Sequence, residues 1–321
     1  MNTKTTFIPL FFMLSSILYC QRDTTIYFPS KGEYEIRSWS NIAGKDTFLT
    51  TIFIPTTKIN PSVKSSISRD VLNNTLNYHY KISNSSKSQQ AIEFFILEIS
   101  KNIFYTNVTT NGWFWGREGR LNGCSWADTI FLAPGTEKDG FIIKSDNLPG
   151  IGNAYFQEQL PFYTYSEEES SYYLEKTLDS LSDFPLNFVQ RKTLVPVNLA
   201  LNIATNYFLD TLKSYIRQAY SLKWIADKKE DDKEKDNKEK EKDSGIVKEL
   251  MKYLDKAREQ LSKNKIKEAK KQLKEFVEKV EENYHENDKD EEKEKLEHGY
   301  LTSEAYALLK YNAEYLIEQI K

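Results

Sequence analysis

Cysteine, histidine and glycine are the scarce residues of this 321-residue chain. It has two cysteines, Cys20 and Cys124, three histidines, His79, His285 and His298, and 12 glycines. Two cysteines in so long a chain cannot form the disulfide framework of a small secreted domain. A cysteine nucleophile needs a positioned base, and three scattered histidines supply no recognisable partner motif. No His-Glu-x-x-His helix is present. His285 and His298 lie in or beside charged segments, where a zinc site would need distant ligands. Gly112, Gly116, Gly119 and Gly123 have neither the GxGxxG spacing nor a following helix, which excludes a phosphate loop of that kind. A basic stripe is missing as well: the net charge is −3, so nucleic acid is not an expected partner. Asp128, Glu137, Asp139 and Asp146 fall near turns without EF-hand spacing and read as solvated carboxylates. Carboxylates are plentiful, but nothing singles out a pair for glycoside hydrolysis. No catalytic grouping, cofactor or metal is expected.

Long apolar runs are also few. The main one is Phe7 to Leu14, which follows Lys4 and precedes Ser15-Ser16-Ile17-Leu18-Tyr19-Cys20. This is the layout of an export signal, too short and too early for a membrane span. Ile17 stands three before Cys20, where a bacterial lipoprotein signal carries an aliphatic residue. Leu18 and Tyr19 are larger than the small residues usual beside that cysteine, and in this the segment resembles the looser signals of spirochaete-like lipoproteins. Residues 1–20 are read as a lipoprotein-type signal with Cys20 as the lipidation site. Plain secretion with Cys20 removed, and an uncleaved anchor, are the other two outcomes. Once Cys20 is processed, Cys124 stands alone as a buried thiol.

Aromatic residues, by contrast, make up 13% of the chain, enough for large cores. The first 220 residues are mostly neutral, with a β pattern. Leu76, Tyr78, Tyr80 and Ile82 alternate with Asn77, His79 and Lys81, the period of a half-buried strand. Ala91 to Ile99 is apolar at nearly every position and predicts a central strand between two layers. Thr129 to Leu132 leads into Ala133-Pro134-Gly135, and Gly140 to Lys144 into Leu148-Pro149-Gly150; Pro followed by Gly suits a type II turn. Thr47 to Ile54 predicts a strand with Phe48, Ile52 and Ile54 on one face, and Asn153 to Leu160 a last strand. Gln21 to Ser30 reads as a polar tether and Pro55 to Asn74 as loop. Short strands at such spacing predict an antiparallel, Ig-like β-sandwich over residues 31–165, followed by a connector at 166–195 with a short helix.

From about Pro196 the period changes to three and four. Leu201, Ala204, Phe208, Leu212, Tyr215, Ala219 and Leu222 predict a first amphipathic helix within 196–226. Residues 227–244 are a low-complexity, charged linker of Lys, Asp and Glu. After Ser244, a candidate cap, Val247, Leu250, Leu254, Ala257 and Leu261 predict a helix. Asn264 is suited to a left-handed turn, and Ile266, Ala269, Leu273, Phe276 and Val280 predict the return arm of a hairpin. A second charged insert spans Glu286 to Glu297. A last helix is capped by Thr302 or Ser303 and carries Leu301, Ala305, Leu309, Ala313, Leu316 and Ile320. Together these predict a small helical bundle, the hairpin and last helix occupying 245–321.

The segment Thr302 to Leu309 with Asn312 to Ile317, the hairpin Leu250 to Val280, and Leu222-Lys223-Trp224-Ile225 resemble the FIMAH-type domain at the C-termini of secreted bacterial surface proteins. The two charged inserts depart from the short loops of that family. The resemblance implies a stalk-like or accessory domain and brings no catalytic residues. Trp126, the turn around Pro134-Gly135, Gly140-Phe141 and Leu148-Pro149-Gly150 are similar to sandwich modules that precede such helices.

One stretch has the character of a site. Trp113-Phe114-Trp115 lies between Gly112 and Gly116, with Arg117, Arg120 and Asn122 beside it. Exposed aromatic rings bury much area at small entropy cost and make good recognition anchors. The competing assignment sends Trp113 and Trp115 into the core; Trp126 is expected there. The function expected is non-enzymatic binding or adhesion at the cell envelope. The candidate partner is a host or envelope protein or a glycan, with membrane contact through the lipid anchor only. The rivals are an assembly component that docks a partner through its helices, and a glycan hydrolase.

Overall fold

The computed structural model describes residues 23–42, 44–55, 58–108, 113–118, 123–158, 172–182, 188–198, 205–226, 245–284 and 300–320. The expected signal and Cys20, the charged segment 227–244 and all of Glu286 to Glu297 lie outside these residues.

The fold is an antiparallel, Ig-like β-sandwich joined to a C-terminal helical bundle, with a small sheet in front of it. That first sheet is built from β1 (Thr24–Phe28), β2 (Glu33–Ile42) and β3 (Lys45–Phe53), in the order β1-β2-β3. The expected tether at 21–30 therefore contains a strand, and the stretch up to Phe53 stands apart from the sandwich. Ile36 and Phe53 are buried against Leu174 of α1 (Tyr172–Ser182), which covers the inner face. On β3 the buried residues are Thr51 and Phe53, whereas Phe48 is exposed on the other face.

The sandwich has two sheets. The first holds β4 (Pro61–Asp70), β5 (Thr75–Asn84), β10 (Glu137–Ser145) and β7 (Thr106–Val108), ordered β4-β5-β10-β7. The second holds β12 (Val189–Val197), β11 (Leu148–Glu158), β6 (Ile92–Glu98), β9 (Gly123–Leu132) and β8 (Trp113–Glu118), ordered β12-β11-β6-β9-β8. As the spacing predicts, Leu76, Tyr78, Tyr80 and Ile82 all point inward, and β6 is the middle strand of its sheet. Phe95 lies at the centre, stacked on Trp126 at 5.1 Å and on Phe156 at 5.2 Å. The Ala133-Pro134-Gly135 turn forms as expected: Gly135 has φ 78° and Thr136 N–H donates to Ala133 O at 3.2 Å, a closed four-residue turn.

Three expectations fail within this domain. Pro55 to Asn74 is not all loop, because β4 runs from Pro61 to Asp70. Its inward positions are Pro61, Val63, Ser65 and Ile67, and a proline and a serine among the four break the apolar alternation that marks a strand. Leu148-Pro149-Gly150 is not a turn but the start of β11. Gly150 serves close packing there: a Cβ would stand 2.5 Å from Val197 Cγ1. The expected connector at 166–195 contains most of β12, which pairs along β11 from Leu148↔Val197 to Phe156↔Val189.

The bundle consists of α2 (Thr205–Ser221), α3 (Gly245–Ser262), α4 (Ile266–Glu282) and α5 (Ser303–Gln319), whose apolar stripes share one core. Two helices end in the same way. Lys223 and Asn264 adopt φ 59° and 57°; Trp224 N–H donates to Ala219 O, and Lys265 N–H to Gln260 O. These are Schellman caps with a non-glycine left-handed residue. Thr302 caps α5 through its side chain, as expected. Between α2 and α5 the short strands β13 (Ile225–Ala226) and β14 (Tyr300–Leu301) pair.

Helix α5 belongs to both cores. Leu309, Ala313 and Leu316 pack in the bundle, while Ala307, Leu308 and Tyr311 pack in the sandwich. It also closes the outer edge of β4, whose backbone groups have no neighbouring strand in their own sheet. Glu304 Oε1 accepts from Ser65 N–H at 2.7 Å, Ser303 Oγ donates to Ser65 O at 2.8 Å, and Tyr311 OH donates to Ile67 O at 3.1 Å. Asn312 Nδ2 donates to Pro149 O at 2.8 Å, tying the same helix to the second sheet. An open strand edge invites pairing with other chains; here side chains of a helix satisfy it.

Candidate functional site

The structure separates the residues of the expected aromatic site. Trp113 is 3% exposed, on β8, with its ring edge-on to Phe141 at 5.1 Å. It is a core residue. Phe114, next along the strand, is 69% exposed; alternation on a strand sends neighbours to opposite faces. Position 115 pairs with Trp126, and position 117 with Cys124, in the β8–β9 ladder. The side chains of Trp115 and Arg117, and all of Arg120, lie outside the described residues, so the platform is represented there by Phe114 alone. Trp126 is fully buried, as expected.

A different pair of aromatics is presented to solvent. In the register of the first sheet Trp39 lies opposite Phe48. Their rings meet at 5.2 Å with an interplanar angle of 60°, forming an open corner, and they are 40% and 46% exposed. Period two places Glu35, Arg37 and Trp39 on one face of β2, and Phe48, Thr50 and Ile52 on the matching face of β3. This is the face opposite the α1-covered core. Arg37 Nε is ion-paired with Glu35 and stands next to Trp39 on that face. Asp23 Oδ1 accepts from Trp39 N–H at 2.9 Å and holds the strand end in place.

The resulting surface combines two tilted rings, a guanidinium fixed by a carboxylate, and the Thr50 hydroxyl. Such a surface can accept an apolar ring face stacked on the indole, with the polar groups at its rim available to hydroxyls or amides. Trp39 and Phe48 stand 9 residues apart in sequence and escape a search for aromatic runs. The signal that could have found them is the alternation of β3, whose Phe48 and Ile52 share a face with no need to be the buried one.

Among the described residues the titratable groups elsewhere supply no open acid–base pair. Glu158 is fully buried, and desolvation, with Glu93 nearby, pushes its carboxyl up to about 8. Burial likewise raises the Cys124 thiol to about 12, while Asn107 Nδ2 lies 3.8 Å from its sulfur. A thiol in this state is not a nucleophile; it is the buried structural cysteine the sequence suggests. His79 bonds to Ser68 Oγ at 2.9 Å on the outer face of the first sandwich sheet. Glu137 is salt-bridged to Lys81 at 2.5 Å. Among the described residues no three His, Cys, Asp or Glu side chains gather as metal ligands, and no helix is long and apolar enough to cross a membrane.

Fold and surface thus define a class: an Ig-like sandwich joined to a helical bundle, with an exposed aromatic corner on an added sheet. No family model matches the chain, and no curated protein matches it. Among solved structures it is similar to an uncharacterized protein from Nocardia farcinica with an immunoglobulin-like fold. That match has 10% sequence identity and a TM-score of 0.23, over 33% of this chain and 89% of the other.

Proposed function

We propose that this is an exported cell-envelope protein with a non-enzymatic binding role, in which the first sheet presents the recognition surface and the helical bundle serves as accessory support. The observation that carries the reading is the solvent-exposed Trp39–Phe48 corner beside the Arg37–Glu35 ion pair. Large rings left open on a sheet face cost solubility, and such patches mark interaction sites. The ligand that suits the corner has a flat apolar face with polar groups around it, as a pyranose or an aromatic side chain has. The export signal read at residues 1–20, with lipidation at Cys20, supports a location outside the cytoplasm. The resemblance of the bundle to FIMAH-type domains of surface proteins agrees with an accessory role. A hydrolase is the weaker reading, because the most perturbed carboxylate described, Glu158, is enclosed rather than set in a cleft.

The test is a screen of the protein against glycans and envelope or host proteins, repeated with Trp39→Ala/Phe48→Ala. The expected result is loss of about 100-fold or more in affinity, as for central anchor residues, with an unchanged unfolding midpoint. Binding that survives the double substitution would remove the corner from the site. Protease shaving of intact cells, with wild type and Cys20→Ser, tests the location: surface display requires that the wild type is cleaved and the variant is released to the medium.

A further inference from the structure

Asp23 fixes where the chain enters the first sheet. Its Oδ1 accepts from Trp39 N–H at 2.9 Å, so the chain comes in beside Trp39. β1 begins at the next residue, Thr24, whose partner in the register is Arg37. Three peptide units separate Cys20 from Asp23, so their Cα atoms lie within about 11 Å of each other. The headgroup layer of a bilayer is about 5–8 Å thick on each side. A lipid on Cys20 therefore brings the Trp39 end of β2 to the level of the headgroups.

That end of the sheet carries the open aromatic corner. Trp39 and Phe48 form one row of the face, and Thr24, Arg37 and Thr50 the next. The Arg37 side chain is 43% exposed while its Nε is ion-paired with Glu35. A zwitterionic phospholipid headgroup offers a partner for each part. Two rings set at 60° attract a quaternary ammonium group, and a guanidinium donates to a phosphate. Tryptophan is favoured at headgroup level because its ring is amphipathic. Arg37, Glu35 and Thr50 around the corner keep it out of the hydrocarbon, where polar groups are costly.

We infer that the Trp39–Phe48 face lies against the phospholipid headgroups of the membrane that holds Cys20. The inference rests on the lipidation proposed for Cys20 and names the partner of the recognition surface proposed above. The short connection to the anchor favours headgroups over a soluble ligand, because it holds the face beside them at a high effective concentration. The contact fixes the orientation of the first sheet on the bilayer, which a lipid anchor alone leaves free.

The test uses the full protein purified from membranes and reconstituted into phosphatidylcholine vesicles. Part of the lipid carries a nitroxide on its headgroup, a short-range quencher of indole. Mass spectrometry of the N-terminal peptide reports separately whether Cys20 is lipidated. Part of the tryptophan emission should be quenched in wild type, and Trp39→Phe should remove that part. Phe48→Asp and Thr50→Glu keep the anchor and put a charge on the face. Both positions are exposed, so both variants should keep the wild-type unfolding midpoint while losing the Trp39 quenching. Quenching that neither substitution reduces would come from the anchor alone and would overturn the inference. Lipidated protein whose Trp39 is not quenched overturns it too, and leaves the lipidation standing. A soluble glycan or protein that occupies the corner of such unquenched protein would preserve the recognition role while this inference falls. Cys20 found without lipid removes the anchor and the inference together.

Discussion

Replacing Glu304 tests whether the helical bundle and the sandwich are one folding unit. Glu304 is 5% exposed, sits in the first turn of α5, and accepts the Ser65 N–H at 2.7 Å from an edge strand of the sandwich. Ser303 Oγ reaches its second oxygen at 3.3 Å. Glu304→Ala removes a charge-assisted hydrogen bond and leaves the buried Ser65 N–H without its acceptor, together about 3 kcal/mol. Loss of a negative charge from the first helical turn adds about 0.5 kcal/mol. Glu304→Gln keeps an acceptor oxygen at the same place and should cost about 1 kcal/mol. Urea unfolding followed by helix circular dichroism and by tryptophan fluorescence separates the contributions. With Trp224, which packs against the bundle core, replaced by Phe in every variant, Trp113 and Trp126 report on the sandwich and the helical signal on the bundle. The two probes should give one coincident transition in wild type, shifted together by the substitutions in the order Ala over Gln. A helical transition that moves while the fluorescence transition stays would show that α5 is not part of the sandwich core. No shift beyond about 0.5 kcal/mol in the Ala variant would refute the edge-closing role itself.

Three further outcomes are expected. The Glu158 carboxyl is raised to about 8 in the folded protein from an ordinary value of 4.5, so between these values the unfolded chain holds fewer protons than the folded one. Stability should therefore fall as pH rises through that window, by at most about 1.4 kcal/mol per pH unit, and Glu158→Gln should flatten the fall; an equal slope in both proteins would remove Glu158 as its cause. Trp113→Ala should lower stability by about 3–5 kcal/mol, whereas Phe114→Ser should change it by about 0.5 kcal/mol or less, as measured by chemical denaturation. Asn264→Ala places an alanine at φ 57° and should cost about 1 kcal/mol, while Asn264→Gly should be neutral or slightly stabilising; equal losses would argue that the Asn side chain, not its backbone, matters.

Local order was legible from the residues alone. The period of three and four along α2 to α5 predicts the helices and their shared core, because an amphipathic stripe has one way to be buried. The alternation through Tyr78 and Tyr80, the apolar run of β6, the Pro134-Gly135 turn and the left-handed Asn264 are equally local, set by side-chain spacing and backbone preference. Tertiary structure decided what depends on distant neighbours. β4 carries Ser65 on its buried side, and that serine is tolerated because Glu304, Ser303 and Leu194, more than 100 residues away, satisfy its polar groups. Gly150 looks like a turn residue in sequence, yet Val197 across the ladder is what demands a missing side chain. The same reason governs the candidate site. Adjacent aromatics at 113–115 are conspicuous in a string of letters, but strand alternation divides Trp113 from Phe114. Trp39 and Phe48 are inconspicuous, and only the pairing of β2 with β3 brings their rings together on a face that no helix covers.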